Sequence, residues 1–162
     1  MSKGSTLKLN ARLAKTTVTI FSTISHVAGI ESSAKCGMRV LIADDQPSVG
    51  STLALLVSAA KHHVVKVVNS GAEAIQAYHS CRPDVVLMDF SMGKLNGGTA
   101  ARYILTEDPG ARIVFVSNRY LPNLTGTGAV AVLQKPVDLT ELADLLNNLD
   151  QQLVFNYAVA AK

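Results

Sequence analysis

Four places in this chain set a polar group directly after a short apolar run. Asp44-Asp45 follow Arg39-Val40-Leu41-Ile42-Ala43, and Asp89 follows Asp84-Val85-Val86-Leu87-Met88. Ser117 follows Ile113-Val114-Phe115-Val116, and Lys135-Pro136 follow Val130-Ala131-Val132-Leu133-Gln134. A continuous β-branched run of this length reads as a strand buried on both faces, as in a parallel sheet. Parallel strands end on one edge, where open α/β sheets bind ligands. Three carboxylates, a hydroxyl and an ammonium would then converge on one rim, a set suited to a divalent metal and a phosphoryl group. Singly, each group has a plainer reading: Asp44-Asp45 as a helix cap, Asp89 and Ser117 as turn residues, Lys135 as a solvated charge. Those readings do not explain why all four fall at strand carboxyl ends.

The elements that must position this rim alternate along the chain. Strands are expected at Arg39–Ala43, about Val64–Val68, Asp84–Asp89, Arg112–Val116 and about Ala129–Gln134. The first helix runs from Pro47, a first-turn proline, to Lys61. The second opens at Ser70 with Glu73 as a capping box and reaches about Ser80; the third covers Gly98–Thr106 and stops before Pro109. The last opens at Asp138 with Glu141 and lines Leu139, Leu142, Leu145, Leu146 and Leu149 on one face. Residues 119–128 hold Pro122, Gly126 and Gly128, so a helix there is short or missing. The pattern predicts an α/β fold with a doubly wound five-stranded parallel sheet.

A chain of 162 residues suits one domain with a full core plus an appendage. Hydrophobic residues make up 48%, yet no apolar run reaches the roughly 18 residues of a membrane span. Residues 1–37 carry five Lys/Arg against Glu31 alone, a net +4, whereas residues 38–162 sum to −1. The globular part therefore has no basic excess for nucleic acid. The leader, 1–37, is too weakly apolar for a secretory signal and too poor in arginine for a transit peptide. It is read as disordered, or as an over-extended start with Met38 the true first residue. Cys36 and Cys81 lack metal-ligand spacing and are expected as reduced thiols. His62-His63 open the second strand on the far edge and read as surface or partly buried; His79, late in the second helix, reads as exposed.

Residues 38–150 resemble the receiver domain of two-component response regulators, a (βα)5 flavodoxin-like fold. The resemblance is carried by Asp44-Asp45, by Asp89-Phe90-Ser91-Met92-Gly93-Lys94-Leu95-Asn96-Gly97, by Ser117 and by Lys135-Pro136. It implies that Asp89 accepts a phosphoryl group from a phosphohistidine. It implies that Asp45 and Asp89 bind Mg²⁺ directly, Asp44 partly through water, and Ser91 through its backbone carbonyl. Lys135 would neutralise one phosphoryl oxygen and Ser117 would donate to another. The implied partners are a sensor histidine kinase or a histidine phosphotransfer protein, in the cytoplasm, without direct DNA or membrane binding.

Three departures from the family pattern stand out. Gly93 occupies a position usually held by proline, which loosens the loop after Asp89. Val132, three before the lysine, replaces an aromatic whose rotation reports phosphorylation. The stretch from Ser117 to Lys135 is a few residues short. Only residues 151–162 follow the last helix, so a stand-alone receiver signalling by protein contact is expected, with that tail extending the helix or packing on the domain. The alternative is a pseudo-receiver that binds partners without cycling phosphate. A haloacid-dehalogenase-type hydrolase would need an aspartate at Ser91, so the chain is not expected to be an enzyme.

Overall fold

The computed structural model of the chain describes residues 37–93, 95–119 and 127–160. Five strands, β1 (Arg39–Ala43), β2 (His63–Val68), β3 (Val85–Asp89), β4 (Ile113–Ser117) and β5 (Ala131–Gln134), form one sheet in the order β2-β1-β3-β4-β5. Every pairing is parallel. Four helices accompany them among the described residues: α1 (Pro47–Ala59), α2 (Gly71–Cys81), α3 (Gly97–Glu107) and α4 (Leu139–Ala160). The sheet is the expected doubly wound, flavodoxin-like one. The expected gap in helix between β4 and β5 falls largely on residues 120–126, which lie outside the described residues, as does the leader 1–36.

The unbroken apolar strands are explained by a core on each face. Leu41, Ala43, Val86, Met88, Ile113 and Phe115 meet Ala74, Ala77 and Tyr78 of α2 and Ala100, Ala101 and Ile104 of α3. Their alternate neighbours Val40, Ile42, Val85, Leu87, Val114 and Val116 meet Leu53 and Val57 of α1 and Leu142, Leu146 and Leu149 of α4. With both faces covered, the central strands leave no place for a polar side chain within Val40–Ala43, Val85–Met88 or Ile113–Val116, whereas the edge strand β2 admits Lys66. Each large side chain fully buried here, Phe115 or Leu87 for example, contributes roughly 1.5–3 kcal/mol.

Helix ends follow their capping chemistry. Ser70 Oγ accepts from the Glu73 amide at 3.2 Å, while the Glu73 carboxylate accepts from the Ser70 hydroxyl and the Asn69 amide. Asn96 Oδ1 accepts from the Thr99 amide at 2.8 Å and sets the start of α3. Asp138 Oδ1 accepts from the amides of Thr140 and Glu141, which hold its carboxyl below the ordinary range. At the other end of α2, Arg39 spans from β1 to donate to the carbonyls of Cys81 and Arg82. Asp84 is not the first residue of β3; its carboxylate accepts from the Arg39 amide at 2.7 Å and tethers β3 to β1. α4 continues past residue 150 to Ala160.

His62 departs from the expectation of a surface or partly buried ring: it is buried, while His63 is exposed. Its Nδ1 accepts from the Met38 amide at 3.0 Å, which fixes the ring under the entry to β1. His79, in α2, is held by Glu107 of α3 at 2.9 Å.

Candidate functional site

The strand order places the topological switch between β1 and β3, so the crevice outside their carboxyl ends is the favoured ligand position. Register brings the polar residues there. Ala43 pairs with Met88, so Asp44 and Asp89 are each one step beyond a paired position. Asp89 itself pairs with Val116, and Ser117 with Gln134, so Ser117 and Lys135 complete the same rim. The side chains of Asp44, Asp45 and Asp89 offer carboxylate oxygens that all lie within 4.8 Å of one another.

Asp44 is fully buried, and both of its oxygens are engaged: Oδ1 accepts from the Gln46 amide at 2.9 Å and Oδ2 from Lys135 Nζ at 2.7 Å. It does not cap α1. That place belongs to Gln46, whose side chain makes no capping bond. Asp45 is exposed to solvent. Asp89 is buried, with Oδ1 accepting from the Ser91 amide at 3.2 Å and Oδ2 standing 3.4 Å from Lys135 Nζ. Lys135 is thus inserted between two carboxylates, its side chain only 9% exposed. Ser117 is fully buried; its Oγ accepts from the Arg119 amide at 3.0 Å, and its carbonyl accepts from the Lys135 amide at 2.9 Å. Ser91 is exposed.

Among the described residues, one ammonium stands against three carboxylates, which leaves the cluster with an excess of negative charge. Hard, anionic oxygens at this spacing match what a small divalent cation takes as ligands. The donor set, with no sulfur or imidazole in it, favours a magnesium-like ion over zinc or copper.

Two features of the site were not legible in the sequence. A groove of about 440 Å³ opens beside Lys135, lined by Gln46, Val49, Thr52, Asn118, Pro136 and Val137, among others. These residues come from three separate segments and share no pattern. Gly97 is the second: a Cβ there would stand 2.1 Å from the Asp89 carbonyl oxygen. Its place in the Asn96-Gly97-Gly98 run signals a turn and not a close approach. Val132, at the position read as missing a switch aromatic, is partly buried against the cluster that holds Phe115. Phe115 itself meets Phe90 edge-to-face, with ring centroids 5.2 Å apart.

Comparison with known proteins gives a consistent result. The family model described as response regulator receiver domain matches residues 40–147. The chemotaxis protein CheY of Thermotoga maritima is 29% identical over 119 residues, a match covering 71% of this chain and 99% of that protein. A protein-glutamate methylesterase/protein-glutamine glutaminase of Nitrosospira multiformis is 36% identical over 110 residues, covering 63% of this chain but only 31% of the enzyme. Among solved structures, a CheX–CheY–BeF3–Mg²⁺ complex from Borrelia burgdorferi matches with a TM-score of 0.62 and 25% identity, covering 72% of this chain and 88% of that one.

Proposed function

The chain belongs to the response regulator receiver domain family, and on that premise we propose that it accepts a phosphoryl group on Asp89 from a phosphohistidine of a sensor kinase or phosphotransfer protein. The observation that carries this reading is the position of Lys135 Nζ, 2.7 Å from Asp44 and 3.4 Å from Asp89, with Asp45 completing the acidic cluster. A carboxylate oxygen of Asp89 attacks phosphorus, the P–N bond to the donor imidazole breaks, and an acyl phosphate forms. Such transfer is mostly positioning and charge neutralisation.

Each residue has a distinct task. Asp45 and Asp89, with Asp44 and the Ser91 carbonyl, would hold Mg²⁺, which supplies charge neutralisation to the transferring oxygens when bound. The CheY structure that carries BeF3 and Mg²⁺ supports this assignment by family likeness. Lys135 is already positioned against Asp89, so a small rotation lets it neutralise a phosphoryl oxygen as a point charge. Ser117 Oγ accepts from Arg119, which leaves its own proton for donation to another phosphoryl oxygen. The Ser91 amide holds Asp89 Oδ1, so Oδ2 is the oxygen turned toward the ammonium.

The product would act by protein contact in the cytoplasm, without DNA binding of its own. No helix among the described residues is long and apolar enough to cross a membrane. The test is incubation with Mg²⁺ and a small phosphodonor, followed by intact-mass measurement. The expected result is a gain of one phosphoryl group by the wild type and none by Asp89→Asn. Equal labelling of the two would overturn Asp89 as the acceptor, and no labelling of either would favour a binding module that does not cycle phosphate.

A further inference from the structure

We propose that His62 is a proton-sensitive latch, whose neutral ring fastens the Met38 entry to β1 and whose protonation releases it. This inference concerns the edge of the sheet opposite the acidic rim and does not depend on phosphoryl transfer.

The geometry is specific. Met38 is fully buried, and its amide donates to His62 Nδ1 at 3.0 Å. The acceptor must be unprotonated, so the ring is the Nε2–H tautomer. Around it the backbone is wound tightly. Lys61 and Gly37 both lie in the left-handed region, at φ 67° and 85°. A Cβ on Gly37 would stand 2.2 Å from the Lys61 carbonyl oxygen. The His62 amide donates to the Val57 carbonyl, and the His63 amide to the Met38 carbonyl. Residues 37–38 are therefore clasped between the end of α1 and the start of β2, with His62 as the side-chain part of the clasp.

The other ring nitrogen gives the latch its direction. Nε2 is buried and, among the described residues, makes no hydrogen bond of standard geometry. Burial opposes the protonated ring, as does the neighbouring His63, while Asp150 and, after it, Asn147 of α4 favour it. Burial dominates, and holds His62 below the ordinary imidazole value of 6.5. A second proton would arrive at Nδ1, where the Met38 N–H already points. Two donors cannot face each other, so the bond breaks, and the charged ring is drawn toward Asp150.

The sign follows from linkage. The closed form binds protons more weakly than the open one, so closure is complete above pH 6.5 and is lost as pH falls toward the lower value of the closed state. Every other backbone contact of β1 remains, so the opening is confined to this corner.

The experiment is an NMR titration of the full chain from about pH 8 to pH 5. It reads the His62 ring nitrogens and the Met38 amide exchange rate, corrected for intrinsic chemistry. The expected result is an Nε2–H tautomer at high pH and a midpoint below 6.5. Met38 exchange should accelerate by up to about tenfold per pH unit on the acid side. His62→Asn supplies a carboxamide oxygen near the place of Nδ1 but cannot titrate; it should keep Met38 protected with a flat profile. An Nδ1–H tautomer, a Met38 rate independent of pH in the wild type, or a His62→Asn profile matching the wild type would overturn the latch.

Discussion

Lys135 Nζ lies nearer to Asp44, at 2.7 Å, than to Asp89, at 3.4 Å, although 91 residues of chain separate it from Asp44. The preference has a physical reason. Asp44 is fully buried and can be charged only if its charge is met at close range, whereas Asp89 has residual solvent. The same ammonium that would serve a phosphoryl group is therefore a structural counter-ion before one arrives.

Removing that ammonium should be costly. Lys135→Met leaves the Asp44 carboxylate buried without its partner, and breaking a buried pair in this way costs about 3–5 kcal/mol. Urea unfolding in metal-free buffer should show a loss of that order. A loss below about 1 kcal/mol would mean that the pair behaves as a solvated surface contact.

Asp45 is the exposed member of the acidic cluster, and its replacement should act in the opposite direction. Asp45→Asn relieves like-charge repulsion within 4.8 Å, so stability without metal should rise by about 1 kcal/mol. Addition of millimolar Mg²⁺ should raise the wild-type melting temperature and have much less effect on the variant. Identical responses of the two proteins would remove Asp45 from the proposed ligand set.

Tyr78 links α2 to the end of α3 through its hydroxyl, which donates to Asp108 Oδ2 at 2.7 Å. Tyr78→Phe should cost about 1 kcal/mol. Burial first, and the hydrogen bond to Asp108 second, raise the phenol above its ordinary value of 10.0. The folded state therefore keeps a proton that the unfolded chain gives up. The stabilisation is complete below pH 10.0 and declines as pH rises above it. Unfolding midpoints of wild type and variant should converge in that alkaline range; a constant gap would contradict the assignment.

The sheet and its acidic rim were legible because both faces of every central strand are covered. Val85-Val86-Leu87-Met88 has no polar interruption for that reason, and the first polar residue, Asp89, marks the edge. Strand starts were less legible, since Asp84 and Arg112 look like strand residues until Asp84 is seen bonding the Arg39 amide from outside β3. The burial of His62 left no trace in the pattern, because its partner is a backbone amide 24 residues away. Which carboxylate Lys135 prefers depends on a difference of under 1 Å that spacing alone does not encode.

Gly93 lies within the loop after Asp89 and Gly97 opens α3 at its end, and they should respond to alanine in opposite ways. At Gly93 a Cβ meets nothing within 4 Å among the described residues, so Gly93→Ala removes freedom from the unfolded chain and should stabilise the fold by about 0.4–1 kcal/mol. At Gly97 a Cβ would meet the Asp89 carbonyl oxygen at 2.1 Å and Met88 Cγ at 3.1 Å. The first of these is backbone and cannot rotate away. Gly97→Ala must therefore push α3 off the end of β3 or displace Asp89, at a cost of about 1–3 kcal/mol. Because Asp89 is the proposed acceptor, phosphoryl gain from a small donor should fall in Gly97→Ala and hold in Gly93→Ala. Unfolding and intact-mass measurements on the two variants check both halves. If Gly97→Ala matches the wild type in stability and labelling, the close approach of α3 to Asp89 does not position the acceptor.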